Sequence, residues 1–131
     1  MTESRHLSVH IDRPVDEVYA FASDPANLPR WAPGLGSSVV QVDGRWFVET
    51  SEGLVRVTFA PQNEYGVLDH EVLTASGETV DVPMRAIADG VATEVVFTLR
   101  RAAGMTDDEL ERDAGLVAAD LARLKGVLER R

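Results

Sequence analysis

Two adjacent patterns constrain this chain more than anything else in it. Between Ser37 and Arg101 lie six short segments, "SSVVQV", "RWFVET", "LVRVTFA", "GVLDHEV", "ETVDVPMRAIA" and "TEVVFTLRR", parted by the turn signals "DG", "SEG", "PQNEY", "SG" and "DG". Directly afterwards comes one long helical pattern, with Leu110, Ala114, Val117, Leu121, Leu124 and Leu128 recurring at helical spacing nearly to the C-terminus. Short runs joined by tight turns predict an antiparallel meander. A long helix with a single apolar stripe needs a surface to bury it, and the meander supplies one.

The start of that helix is marked by Thr106 and Glu109, which have the Ser/Thr-x-x-Glu spacing of a capping box, and by Asp107 and Asp108 at the positive end of its dipole. Before the meander, "HLSVHI" alternates Leu7, Val9 and Ile11 with polar residues, the period of a half-buried strand. "RPVDEVYAFAS" then changes to helical period at Val15, Val18, Tyr19 and Ala22, with Pro14 suited to the first helical position. Asp24 and Pro25 restart a second, very short helix, which Pro29 and the Pro33-Gly34 pair stop. The order is strand, two short helices, six strands, long helix. That grouping predicts an α+β domain with helices on one face of an antiparallel sheet.

Composition fixes the rest of the frame. A chain of 131 residues suits one domain, 1–131, with a core burying roughly two-thirds of the unfolded surface. The net charge of −9, with basic residues scattered, argues against nucleic acid and anionic membrane surfaces as partners. Without cysteine, disulfides, thiolate catalysis and cysteine-ligated metal sites are excluded. No segment reaches signal-peptide or membrane-span length, so a cytoplasmic protein is expected. Metal and cofactor sites are not expected. His6 and His10, four apart on a strand, lie roughly 13 Å from one another, and "PGLGSS" lacks the lysine and helix of a phosphate loop.

The phrase "HIDRPVDEVYAFASDPANLPRWAPG" resembles the N-terminal portion of bacterial polyketide cyclase-like members of the START-like (SRPBCC) superfamily, and "YGVLDHEV", "VPMRAIADG" and the C-terminal helix resemble one bacterial branch of it. The resemblance covers essentially the whole chain. It implies the helix-grip fold: a curved antiparallel seven-stranded sheet wrapped around the long C-terminal helix, a cavity between them, and two short helices closing one end. It does not imply one activity, because the superfamily includes polyketide cyclases and dehydrases, lipid-transfer domains and passive carriers.

Within that frame, Trp31 belongs either at the cavity mouth, in a segment stiffened by Pro25, Pro29 and Pro33, or in the plain core. His70 shares a strand face with Leu68 and Val72. It is a candidate general acid or base, or else a buried histidine satisfied by one hydrogen bond. Arg85 is the only basic residue of its strand, suited to orienting a carboxylate or enolate oxygen. Pairing across "TASGET" instead sets it opposite Asp69 in an exposed ion pair on the other face. Trp46, Phe59 and Phe97, with Val117 and Leu121 of the long helix, are candidates to line the pocket.

The expected function is binding of a hydrophobic or aromatic small molecule between sheet and helix, as carrier or sensor. An enzyme of the cyclase or dehydrase type, with His70 and Arg85 as its first suspects, is the alternative. A protein-interaction module whose cavity is filled by its own side chains is the third. Homodimers are common among such small domains, a base rate that leaves the oligomeric state open.

Overall fold

A computed structural model describes residues 3–33 and 38–131; the "GLGS" stretch at 34–37 lies outside the described residues. The elements run β1 Ser4–Ile11, α1 Val15–Ala22, a 3₁₀ turn Pro25–Asn27, α2 Leu28–Trp31, β2 Ser38–Val42, β3 Arg45–Thr50, β4 Gly53–Phe59, β5 His70–Leu73, β6 Thr79–Val82, β7 Met84–Asp89, β8 Ala92–Arg100 and α3 Asp107–Glu129. The α+β order expected from the sequence is therefore present. Pro14 stands one residue earlier than expected, as the N-cap of α1.

Local chemistry sets the boundaries. Asp24 starts the 3₁₀ turn by accepting the Ala26 amide at 3.0 Å, and Asp43 and Gly44, both at positive φ, make the two-residue β2–β3 turn. Thr106 and Glu109 form the complete capping box of α3. At the other end of α3, Arg13 donates to the carbonyls of Leu128, Glu129 and Arg131, so one guanidinium ties the helix terminus to the chain just after β1.

Among the described residues eight strands form where seven are expected. The orders are β1-β8-β7 and β2-β3-β4-β5-β6. The fifth segment of the meander breaks at Pro83 into β6 and β7, because a proline has no N–H to give to a ladder. Against β8, Pro83 still accepts from Thr98 N–H at 2.9 Å, but it cannot return a bond, and pairing stops there. On the opposite side the strand stays attached across the break. Leu68 N–H donates to Met84 O, Ala86 N–H donates to Gly66 O, and Val67 bridges Arg85. The two sheets are thus one curved seven-stranded surface with a kink. Gly66 is required at this seam, since its φ is positive and a Cβ there would collide with the Ala86 carbonyl.

The helix α3 packs its backbone against β1, β8 and α2, while the strands of the larger sheet stand farther off. Its C-terminal half is sealed: Leu121, Leu124 and Leu128 are buried with Ile11, Val18, Trp31 and Val95. The grip is close along this half and at Leu110, and looser around Ala114 and Val117 between them.

Candidate functional site

Strand register defines what faces α3. The row Gln41, Trp46, Val57, Val72 and Val80 runs across the larger sheet, and the row Phe59, His70 and Val82 lies beside it. These two rows are apolar apart from Gln41 and His70. Several of its side chains point inward and are still only half-buried, namely Trp46, Phe59, His70, Val72 and Val82. The helix shows the same pattern. Leu110 and Leu121 are buried, whereas Ala114 and Val117 between them are not. Eleven residues of helix span roughly 16 Å, and within that length Ala114 and Val117 are only partly buried.

Two clefts lie at the margins of this face. Beyond Pro83, β6 and the end of β8 part, leaving a gap of about 550 Å³ between Glu78–Asp81 and Arg100–Ala103. Val80, on the inner face, is 46% exposed beside it. At the other end, a cleft of about 270 Å³ lies between Ser23 and Pro25 on the helical side and Trp46, Val57 and Phe59 on the sheet, with Arg45, Arg56 and Gln62 also lining it.

His70 sits at the centre of an aromatic cluster. Its ring lies 4.8 Å from that of Phe59, tilted by 31°, and 6.5 Å from that of Phe97, edge-on at 67°. The cluster joins β4, β5 and β8, and so spans the kink. Nδ1 lies 3.0 Å from the Leu68 carbonyl oxygen. A carbonyl only accepts, so Nδ1 carries the proton and Nε2 presents a lone pair. Nε2 has no hydrogen-bond partner among the described residues. Burial pushes the imidazole pKa down, and the Leu68 carbonyl and the Asp69 carboxylate oppose this only in part. A neutral ring with an accepting Nε2 is the result.

Arg85 does not line this face. Asp69 accepts from its Nε at 3.1 Å and from its Nη2 at 2.9 Å on the outer side of the sheet, where the arginine side chain is 50% exposed. The pair holds Asp69 below the usual carboxylate range. The competing ion-pair account of Arg85 is the one realised, because one step along a strand reverses the face of a side chain.

Trp31 is core, 3% exposed between α2, α3 and the sheet. Its indole Nε1 is sealed with no hydrogen-bond partner among the described residues. Leu121, 2% exposed, is likewise core. Phe59, His70 and Phe97 come together, Val117 is partly buried against the core, and Trp46 lies beside the second cleft opposite Val57. His6 binds Thr98 at 3.0 Å and His10 lies 3.9 Å from Asp89, so each points to its own neighbour. The carbonyl that orients His70 and the gap after Pro83 were not foreseen. The proline inside an otherwise regular strand pattern was the available signal for both.

The comparisons with known proteins decide the family. Residues 3–129 match the family described as polyketide cyclase / dehydrase and lipid transport. The chain belongs to that family. No curated protein matches the chain. Among solved structures, the aromatase/cyclase ZhuI from a Streptomyces species superposes with a TM-score of 0.66 at 20% identity, covering 100% of this chain and 96% of that one. A START superfamily protein from Mycobacterium smegmatis gives 0.67 at 13% identity, covering 97% of each chain. Ara h 8.0201 gives 0.73 at 15% identity over the full length of both. At these identities the likeness is one of fold. It gives this member of the polyketide cyclase / dehydrase and lipid transport family the helix-grip architecture. Family and fold together support a role in binding hydrophobic ligands or of the polyketide-cyclase type.

Proposed function

We propose that the protein binds a hydrophobic or aromatic small molecule in the hollow between the larger sheet and the N-terminal half of α3. The observation that carries this reading is the run of inward-facing apolar side chains, Phe59, Val72, Val82, Phe97 and Val117, that stay only partly buried. A core would pack such groups to full burial. Left half-buried beside an opening, they form a surface that an apolar ligand covers with gain.

A second reading, an enzyme of the cyclase or dehydrase type, is favoured by one feature. The neutral His70 offers an accepting Nε2, the form a general base requires. Arg85, which faces away, gives it no help. The carrier reading is therefore the simpler one.

Native mass spectrometry of the purified protein, alongside titration with 1-anilinonaphthalene-8-sulfonate, tests the proposal. Wild type is expected to bind the probe or release a co-purifying small molecule. Val117→Trp, which fills the hollow from the helix side, is expected to fold and to bind neither. Equal binding by both proteins would overturn the assignment of the hollow as the site.

A further inference from the structure

The kink at Pro83 fixes more than an opening. In a regular ladder, Leu68 and Met84 would exchange two bonds, and only Leu68 N–H to Met84 O is made. The Met84 amide donates instead to Asp69 Oδ1 at 2.9 Å. The Leu68 carbonyl accepts instead from His70 Nδ1 at 3.0 Å. The backbone thus selects the tautomer of His70, and the rings of Phe59 and Phe97 hold its plane. The polar group that His70 brings beside Phe59 and Val82, in a cleft of about 400 Å³, is an acceptor with no proton of its own.

The geometry points to a ligand class: an apolar, ring-bearing molecule that presents an uncharged hydroxyl donor to His70 Nε2. This rests on the reading of the hollow as a binding site. An ether or ketone oxygen at the same place would set acceptor against acceptor. A carboxylate would do so with a charge added, and Arg85, the cation that could have received it, is on the other face held by Asp69. Burial of the imidazole reinforces the preference, because the ring stays neutral and accepting. A hydroxyl in this position satisfies the one polar atom among Phe59, Phe97 and Val82, and a net gain of roughly two- to tenfold in affinity over an otherwise equal ligand is expected for one such bond.

Isothermal titration of the full chain at pH 7.5 with 2-naphthol, 2-methoxynaphthalene and 2-naphthoate tests the class. The expected result is that 2-naphthol binds about two- to tenfold more tightly than its methyl ether and more tightly than the carboxylate. In His70→Phe the naphthol is expected to fall to the level of the ether, whose own affinity is little changed. Equal affinities of naphthol and ether for wild type would overturn the hydroxyl assignment while leaving the hollow as a binding site, and this comparison needs no variant to fold. A preference for naphthol that survives in folded His70→Phe, or tighter binding of the naphthoate, would overturn it as well. Absence of binding by all three would overturn the hydroxyl assignment and the hollow together.

Discussion

Asp69 and His70, consecutive residues on opposite faces of the sheet, take over the two halves of one missing ladder bond. Asp69 accepts the Met84 amide and His70 donates to the Leu68 carbonyl. The two faces of the seam are satisfied by different chemistry. The outer face uses a carboxylate that also holds Arg85, and the inner face uses an imidazole.

Asp69 should therefore matter more to stability than its visible ion pair. Asp69→Ala leaves the Met84 N–H without a partner at the kink and is expected to cost about 1–3 kcal/mol. Arg85→Ala removes only a half-exposed pair and is expected to cost less than about 1 kcal/mol. Urea midpoints of the two variants order the effects, and equal midpoints would show that the amide bond contributes nothing.

Trp31 carries a sealed N–H that nothing in the described structure accepts. Replacing it with Phe removes the unsatisfied donor and keeps most of the ring, so Trp31→Phe is expected to change stability by less than about 1 kcal/mol. Trp31→Ala, which leaves a cavity in the same place, is expected to cost about 3–5 kcal/mol. Thermal melts of the two separate a packing role from a polar one. A large loss in the Phe variant would show that Nε1 has a partner.

His70 gives stability a definite pH dependence. Its folded-state pKa lies below the ordinary 6.5, while in the unfolded chain the ring titrates near about 6.5. Above that value both states are neutral and the full stability is present. As pH falls through about 6.5 the unfolded chain takes up the proton first, and stability declines until the folded ring is protonated too. The groups facing the imidazole are the Leu68 carbonyl, the neighbouring Asp69 carboxylate and the rings of Phe59 and Phe97. The urea midpoint of wild type is expected to fall between pH 7.5 and 5.5, and His70→Phe is expected to flatten that fall. An identical slope in the variant would place the titration elsewhere.

The sealed half of α3 should not tolerate charge. Leu121 is buried among Ile11, Leu124 and Val95, and Leu121→Glu places an unpaired carboxylate there. The expected cost is about 3–5 kcal/mol or more, a large share of the stability of a domain this size. Circular dichroism melts check this, and a wild-type transition would mean that the face of the helix is misassigned.

The alternation of Leu7, Val9 and Ile11, the Asp43-Gly44 turn, the Thr106–Glu109 box and the leucine stripe of α3 all carried their structure openly, because each is a local pattern with a local cause. The Asp69–Arg85 pair was also legible, since the short "TASGET" turn fixes register within a few residues. The kink was not. Pro83 sits inside a run whose alternation continues on both sides, and only the loss of a bond to Thr98, fifteen residues away, turns it into a break. The placement of Trp31 was likewise hidden, because its burial depends on α3, which joins it from the far end of the chain.

The aperture beside Val80 has a cause that is covalent rather than packed. It opens where residue 83 has no proton to return to Thr98. Groups lining it can change in size or charge while the ring of Pro83 keeps that ladder bond unmade. Selection can then retune what passes through without rebuilding the frame.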